Sequence, residues 1–288
     1  MRLAHSKLMG TIMQYQAEFL DYKPIFNETE LECLSKYSSA YPLENFLQDH
    51  RTFEERSIDY AYVSSKIEGN QYSRRGATML LKYGFTEGGK TLSDAQMLLN
   101  LRDTFINVAL SPDMSIEEVL SEHYLRTIHS EVSGHLLKDS QRGAVRKQGV
   151  AIEGSDYIPL DNEFLLQDQL TVLLNTAKKI SNPFEQAIYT HCNLAYLQYF
   201  ADCNKRTARL MQTAVLVANK ITPIFFREES VYGYLNAVVN YYETGKYESY
   251  KDLFLNEYQY TIKHLLGQTP EQIEAQKLAV KSIRSRGR

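Results

Sequence analysis

The spacing of apolar residues is the feature that most constrains the fold of this chain. Apolar side chains recur every three or four residues through most of the sequence, which places them on one face of an α-helix. The clearest stripes are Leu166, Leu170, Leu173, Leu174 and Ala177; Phe184, Ala187, Ile188, His191, Leu194 and Ala195; Met211, Ala214, Val215 and Ala218; and Val231, Leu235, Val238 and Tyr242. The sequence therefore predicts a mainly α fold.

Capping signals mark the starts of two of the predicted helices. Ser115 precedes an acidic first turn at Glu117 and Glu118, and Asn182 precedes Pro183. Polar residues of these types satisfy the free N–H groups of a first turn, and proline fits the first helical position.

One segment departs from helical spacing. Between Ala144 and Leu160 the sequence alternates around Val150 and Ile152, then passes through the turn residues Gly154-Ser155-Asp156. This pattern predicts a single β-hairpin. Two strands alone are marginally stable, so the hairpin must pack on helices or act as a mobile flap.

Composition excludes several classes of protein. Of the 288 residues, 43% are hydrophobic and 23% are charged, values typical of globular domains. No stretch approaches the roughly 20 apolar residues of a membrane span, and the first residues lack a secretory signal. The three cysteines, Cys33, Cys192 and Cys203, argue against a disulfide framework and a cysteine-only zinc site. We expect a cytoplasmic protein with reduced thiols and no membrane partner.

Charge is unevenly distributed along the chain. The net charge is −3, yet residues 277–288 contain five basic residues and no acidic one, so the rest of the chain is distinctly acidic. An acidic body without a helix-turn-helix signature disfavours nucleic acid as a partner. A nucleic-acid role for the basic tail remains the weaker alternative.

The segment Gly84-Phe85-Thr86-Glu87-Gly88-Gly89-Lys90-Thr91 matches the phosphate-binding P-loop pattern. That motif requires a buried strand before it and a helix after it. The preceding residues, 76–83, are better interpreted as a short helix, and no series of parallel strands follows. The sequence favours a glycine-rich loop between helices over a P-loop.

A second constellation lies at residues 198–210, where an apolar helix ends near Phe200 and a new helix begins around Asn204. Lys205, Arg206 and Arg209 oppose the dipole of the new helix unless an anion compensates them. Such local conflicts are expected at functional sites. The alternative is a solvated basic turn paired with acidic neighbours.

This stretch resembles the signature of the Fic family (Fido fold), His-Pro-Phe-x-Asp/Glu-Gly-Asn-Gly/Lys-Arg-x-x-Arg. The matching residues are Phe200, Asp202, Asn204, Lys205, Arg206 and Arg209, and His191 lies where many members carry a histidine. Residues 64–70 resemble the inhibitory motif Ser/Thr-x-x-x-Glu-Gly/Asn of the family, and residues 143–146 with the predicted hairpin resemble its flap. Residues 237–245 are similar to the helix after the motif.

The resemblance implies a Fido-type helical bundle with a β-hairpin flap. It predicts an N-terminal helical extension at residues 1–51, a core with the inhibitory helix at residues 52–267, and a basic tail at residues 268–288. It also implies AMP transfer from ATP to a hydroxyl of a target protein, with Mg²⁺.

The family pattern also assigns roles to individual residues. Asp202 would hold Mg²⁺, and Asn204, Lys205, Arg206, Arg209 and Tyr234 would bind the nucleotide. Ser64 and Glu68 would form the inhibitory motif, with Glu68 paired to Arg209 at the γ-phosphate position. Val150 and Ile152 would bind a target segment. The alternative for Glu68 is an ordinary carboxylate on a helix surface.

The departures from the family pattern concern catalysis. The catalytic histidine is Gln198 here, and an amide cannot act as a general base. Tyr199 replaces proline and Cys203 replaces glycine. A thiol at a helix N-terminus could be reactive, but a small residue tolerated in the loop is favoured. We expect His191 to pack in the core, hydrogen-bonded to the motif loop, instead of binding a metal.

Two classes of function remain open. The first is a self-inhibited protein adenylyltransferase whose activity is reduced or altered by Gln198. The second is a catalytically inactive Fic-fold module that binds or regulates. The expected partners are a nucleotide and a target protein that the sequence does not identify, and a homodimer is an open alternative.

Overall fold

The computed structural model describes residues 13–267 together with residues 271, 272 and 275. Over these residues the chain is mainly α-helical, as the apolar spacing predicts. The helices are α1 (Glu28–Ala40), α2 (Leu43–Gln48), α3 (His50–Ile67), α4 (Arg74–Tyr83), α5 (Leu92–Ala109), α6 (Ile116–Val119), α7 (Glu122–Val132), α8 (Glu163–Lys178), α9 (Pro183–Leu197), α10 (Asn204–Ala218), α11 (Val231–Thr244) and α12 (Glu248–Leu266). The basic tail predicted at residues 268–288 lies outside the described residues, apart from those three positions.

Helices α9 and α10 form the centre of the fold. Every residue of α9 from Phe184 to Leu197 is buried, and so is every residue of α10 from Arg206 to Val217. Helices surrounded on all sides belong to the interior of a bundle. Helices α8 and α11 pack against α9, while α5 and α7 pack against α10. The loop between α9 and α10 is therefore held in the middle of the bundle.

The predicted helix starts are confirmed. The side chain of Asn182 accepts hydrogen bonds from the N–H groups of Phe184 and Glu185, with Pro183 at the first helical position. Ser115 forms a capping box with Glu118 at the start of α6. Both caps satisfy backbone donors that a first turn leaves without partners.

Helix α3 brings the predicted inhibitory motif to the centre. It packs against α5 and α11 and ends at Ile67. Gly69 follows with φ +82°, a left-handed conformation that ends the helix at low steric cost. Glu68 is thus fixed at the C-terminal end of α3.

The glycine-rich segment 84–91 is a loop between helices. It connects α4 to α5, and Gly84 ends α4 in a left-handed conformation. In the described part of the chain the strands are confined to residues 13–14 and 157–158, so the element directly before this loop is a helix and not a strand. The P-loop interpretation is excluded and the interhelical loop is confirmed.

The prediction of a β-hairpin over Ala144–Leu160 was wrong. The sheet of the described residues has two parallel strands, β1 (Met13–Gln14) and β2 (Tyr157–Ile158). The carbonyl groups of Gln148 and Leu160, near the two ends of the segment, accept hydrogen bonds from the Arg146 guanidinium. The buried side chain of Arg146 therefore holds this segment in place, a role that the predicted hairpin gave to hydrogen bonds between its two strands.

The residues before α1 lie against α9. The buried carboxylate of Glu185 accepts hydrogen bonds from the N–H groups of Ile25 (2.7 Å) and Phe26 (3.0 Å) and from the Tyr22 hydroxyl. The Gln16 N–H donates to the Tyr196 hydroxyl at 2.7 Å. The predicted domain boundaries stay a prediction, but the described part of the N-terminal extension shares the main apolar core.

Two further expectations concern the chain as a whole. The three cysteines are free thiols. Among the helices of the described residues, none has the length and apolar character needed to cross a membrane.

Candidate functional site

The loop between α9 and α10 has an unusual backbone. Gln198 (φ 49°, ψ 51°) and Cys203 (φ 62°, ψ 12°) both adopt left-handed conformations. Such conformations cost a side-chain-bearing residue on the order of 1–3 kcal/mol and persist only where the surroundings impose them. The glycine of the family pattern would adopt this conformation at position 203 without that cost.

Asn204 imposes the shape of the loop. Its side-chain oxygen accepts a hydrogen bond from the Phe200 N–H at 2.9 Å, and its amide nitrogen donates to the Phe200 carbonyl at 2.8 Å and to Gln198 Oε1 at 3.1 Å. Gln198 Nε2 in turn donates to the Ala195 carbonyl at 2.7 Å. Both ends of the Gln198 amide are therefore bound by the protein itself.

His129 on α7 anchors the same loop, a role that sequence reasoning missed. Its Nδ1 accepts a hydrogen bond from the Gly143 N–H at 2.8 Å, so its Nε2 donates to the Asp202 carbonyl at 3.1 Å. The ring stacks on Phe200 with 3.7 Å between centroids. Burial lowers the pKa of His129 to about 4, so the imidazole is neutral near pH 7. The available signal was a histidine on the buried face of an amphipathic helix.

Arg146 was noted only as part of a motif, yet it joins the flap segment to the loop. Its Nε donates to the Gln198 carbonyl at 2.6 Å, while its own N–H donates to the Tyr199 carbonyl at 3.1 Å. The side chain is almost fully buried and forms an ion pair with Asp161 at 3.3 Å. The base of the segment 147–160 is thus tied to the position of the family histidine.

Arg209 and Glu68 form a buried ion pair at the end of α3. Arg209 Nη2 lies 2.8 Å from Glu68 Oε1, and the same guanidinium donates to the Ser64 hydroxyl (2.9 Å) and carbonyl (3.1 Å). Burial alone would raise the pKa of Glu68, but the charges of Arg209 and Lys205 outweigh it and hold the pKa below its usual 4.5. Sequence reasoning predicted the partners of this pair.

Tyr234 lies behind Arg209. Its hydroxyl accepts a hydrogen bond from Arg209 Nη1 at 3.0 Å and contacts His191 Nε2 at 2.8 Å. The residue is wholly buried, so it supports Arg209 from within the bundle and does not line the cavity described below.

Arg206 lies in the first turn of α10 with hydrogen-bonding capacity to spare. Its side chain is 5% exposed, and its Nη2 forms an ion pair with Asp202 Oδ2 at 3.3 Å. Among the described residues, its buried Nε and Nη1 atoms have no hydrogen-bond partner. Buried donors without partners are rare because each costs free energy.

A cavity of about 160 Å³ lies beside Glu68 and the loop at residues 198–203. It is lined by Glu68, Ala151, Ile152, Glu153, Gln198, Asp202, Asn204, Lys205 and Tyr242. Pockets for ligands of nucleotide size span about 300–1,000 Å³, so Glu68 and the segment 151–153 leave too little room for one. The Tyr242 hydroxyl is buried beside this cavity and has no hydrogen-bond partner among the described residues, another feature that the sequence did not reveal.

The predicted target-binding residues lie on the two sides of the flap segment. Ile152 lines the small cavity, whereas Val150 lines a separate cavity of about 500 Å³ together with Ala144, Val145 and Ala201. Both are partly exposed. The structure thus brings Ile152, but not Val150, to the cavity beside Gln198.

Two alternatives from the sequence are settled by burial. Cys203 is 1% exposed, and burial raises the pKa of its thiol to about 12, so it is not a reactive thiolate. His191 packs in the core, stacked on Tyr250, but its hydrogen-bond partner is Tyr234 on α11 and not the motif loop.

The carboxylate predicted to hold a metal is Asp202, whose side chain is 63% exposed. Its Oδ1 accepts the Cys203 N–H at 2.6 Å. The described residues contain no group of three or more metal-ligating side chains. One carboxylate is nevertheless enough for Mg²⁺ when phosphate oxygens and water complete the coordination.

Comparisons with known proteins agree with this arrangement. Residues 119–216, from α6 into α10, match the model of the Fic/DOC family. The chain is 28% identical over 198 residues to "Protein adenylyltransferase Fic" of Nematostella vectensis, covering 65% of this chain and 44% of that protein. It is 24% identical over 189 residues to "Protein adenylyltransferase fic-1" of Caenorhabditis briggsae, covering 62% and 36%. The chain thus spans less than half the length of these curated relatives.

Solved structures share the fold. A Fic-1 fragment from C. elegans superposes with a TM-score of 0.66 at 18% identity, over 83% of this chain and 72% of that one. A Fic family protein from Desulfovibrio desulfuricans G20 superposes with a TM-score of 0.69 at 15% identity, over 85% and 77%. The family match runs across α7, α8, α9 and most of α10, which carry the loop at residues 198–203, and together these findings support a Fic/Fido family protein.

Proposed function

We propose that the chain is a self-inhibited protein adenylyltransferase, which transfers AMP from ATP to a hydroxyl of a target protein. One observation carries this proposal: a buried cluster of positive charge at the start of α10 is closed by a carboxylate of the same chain. The curated relatives named as adenylyltransferases support the reaction class.

The site has the chemistry of a phosphate cradle. The first turn of α10 presents free N–H groups and the positive end of its dipole. The partnerless Nε and Nη1 atoms of Arg206 add two charged donors, which suit the oxygens of a phosphate. Lys205 contributes a further charge at the rim, where its side chain is 28% exposed.

Glu68 would act as the inhibitory group. Its two oxygens lie 2.8 Å from Arg209 Nη2 and 3.6 Å from Lys205 Nζ, so it takes the charge that a terminal phosphate would otherwise receive. When Glu68 is removed, the buried guanidinium of Arg209 loses the negative charge beside it. The phosphates of ATP would then supply that negative charge. Removal of Glu68 should therefore favour ATP in a productive pose.

Asp202 would hold Mg²⁺ through its exposed carboxylate. The ion would stabilise charge that develops as pyrophosphate leaves. The ion pair between Asp202 and Arg206 would have to weaken, so that the Arg206 guanidinium could bind the nucleotide.

Gln198 limits the rate that this site can reach. Its amide is bound to Ala195 and Asn204 and takes up no proton at neutral pH. Loss of a general base slows transfer by about 10²–10⁴-fold. We therefore expect slow AMP transfer, which restoring the family histidine accelerates.

Labelling with α-³²P-ATP and Mg²⁺ tests the proposal. The proteins compared are the wild type, Glu68→Gly, Gln198→His and the double variant. Glu55→Gly is the matched control, because this partly exposed glutamate also lies on α3 and is far from the cavity lining. We expect label on the protein in the order double variant, Glu68→Gly, wild type, with Glu55→Gly at the wild-type level. A double variant that binds ATP but transfers no AMP would contradict the assigned reaction.

A second candidate function is a binding or regulatory module without catalysis. The observation that favours it is the Gln198 amide, whose donor and acceptor are both used within the loop. This candidate predicts ATP binding after Glu68→Gly with no transfer, and transfer only when Gln198→His is added.

A further inference from the structure

We propose that Glu153 on the flap segment accepts the proton of the attacking hydroxyl, in place of the missing histidine. The inference rests on the proposed AMP transfer and names the group that completes it. Glu153 lines the same cavity as Gln198, Asp202 and Asn204.

Three carboxylates line this cavity, and two of them are already engaged. Glu68 is paired with Arg209 and Lys205, and Asp202 contacts the Cys203 N–H and Arg206. Glu153 is exposed and forms no hydrogen bond or ion pair with the described residues. It is therefore the lining carboxylate that remains available for an incoming hydroxyl.

The other titratable groups of the cavity are poor bases. Burial raises the pKa of Tyr242 well above 10, so its hydroxyl stays protonated. Lys205 carries a positive charge and faces Glu68. Gln198 has no proton equilibrium near neutral pH.

A carboxylate is sufficient for this step. The transition state of phosphoryl transfer is loose, and protein kinases use an aspartate to accept the proton of the substrate hydroxyl. In the proposed step the hydroxyl oxygen forms a bond to the α-phosphorus while its proton passes to Glu153. The bond from the α-phosphorus to the bridging oxygen breaks, and pyrophosphate leaves with the electron pair.

The position of Glu153 couples catalysis to the target. It lies in the segment that begins after Arg146 and that carries Val150 and Ile152, the predicted target contacts. A target segment seated on these residues would lie next to the carboxylate. The general base would thus lie on the flap segment, which would hold the target hydroxyl. It would not lie on the loop at residues 198–203, which would hold the phosphates.

The test uses the full chain with Glu68→Gly as the active background. Glu153→Gln, Glu153→Ala and the control Asp156→Asn are added separately, because Asp156 is exposed on the same segment but does not line the cavity. The readouts are ATP binding by calorimetry, and transfer from α-³²P-ATP to hydroxyls of the chain and to water. We expect Glu153→Gln and Glu153→Ala to lower the rate by about 10²–10⁴-fold without changing ATP affinity.

Chemical rescue separates a base from a structural residue. Formate should restore transfer by Glu153→Ala in proportion to its concentration, and it should not affect Asp156→Asn. An unchanged rate in Glu153→Gln, or no rescue by formate, overturns the role of Glu153.

A failure of the proposed function can be distinguished from a failure of the role of Glu153. If Glu68→Gly transfers AMP and the Glu153 variants transfer it at the same rate, the reaction stands and the role of Glu153 falls. If Glu68→Gly binds ATP without transfer while the Gln198→His double variant transfers AMP, the natural chain is the binding module and the proposed function fails. If the double variant also transfers nothing, the reaction class itself is wrong.

Discussion

At the residue scale, the site depends on side chains that hold the loop at residues 198–203 in a conformation that its sequence disfavours. Gln198 and Cys203 both have positive φ without being glycine. Asn204 and His129 compensate by binding backbone groups of Phe200 and Asp202, which lie between the two strained positions. Cys203 therefore keeps a left-handed conformation because the surrounding hydrogen bonds impose it.

Also at the residue scale, His191 should make stability depend on pH. Burial, reinforced by the charge of Arg209, lowers the pKa of His191 well below 6.5, so the folded state binds its proton less readily than the unfolded state. Stability is then fully present above about pH 6.5 and declines as the pH falls toward the folded pKa. Between pH 7 and pH 5 the wild type should lose more stability than His191→Gln.

Urea unfolding at several pH values measures this difference. His123→Gln serves as the control because His123 is exposed on α7. A parallel pH dependence in the wild type and His191→Gln would show that His191 does not carry the effect.

At the scale of helices and strands, the sequence predicted the features that depend on residues close together in the chain. The stripes of α8 to α11 and the caps at Ser115 and Asn182 follow from neighbours within one helix, and they were confirmed. The β-hairpin failed because β2 pairs with residues 13–14, more than 140 positions earlier in the chain. No alternation within the segment 144–160 carries that information. The roles of His129 and Arg146 were missed for the same reason, since their partners lie on other elements.

The flap segment provides a prediction at this scale. Arg146→Lys keeps the charge but cannot donate together to Gln198, Gln148 and Leu160, because an ammonium lacks the planar fork of a guanidinium. We expect a loss of about 2 kcal/mol in unfolding free energy and faster hydrogen exchange at the Tyr15 amide, which donates to the Ile158 carbonyl.

Hydrogen exchange read by NMR measures the opening, with Lys147→Ala as the control because that side chain is 76% exposed. Unchanged protection of Tyr15 in Arg146→Lys would mean that the segment is held by other contacts.

At the scale of the whole molecule, an acidic chain surrounds one buried positive cluster. Arg206 and Arg209 lie on α10 near the middle of the bundle, and Glu68 reaches Arg209 from the end of α3. The motif spacing predicted this ion pair. It did not predict the 160 Å³ cavity, which Glu68, Lys205 and the segment 151–153 line together, or the donors of Arg206 that have no partner among the described residues. The central claim is that this cluster is a nucleotide site that Glu68 keeps closed.

Calorimetric titration of the full chain with Mg²⁺-ATP tests that claim most directly. The proteins are the wild type, Glu68→Gly, and Glu68→Gly combined with Arg206→Ala, with Glu55→Gly, at a partly exposed position of α3, as the control. We predict that Glu68→Gly binds ATP at least about tenfold more tightly than the wild type, that Arg206→Ala removes this gain, and that Glu55→Gly changes nothing. Equal ATP affinities in the wild type and Glu68→Gly, or no binding by either, would contradict it.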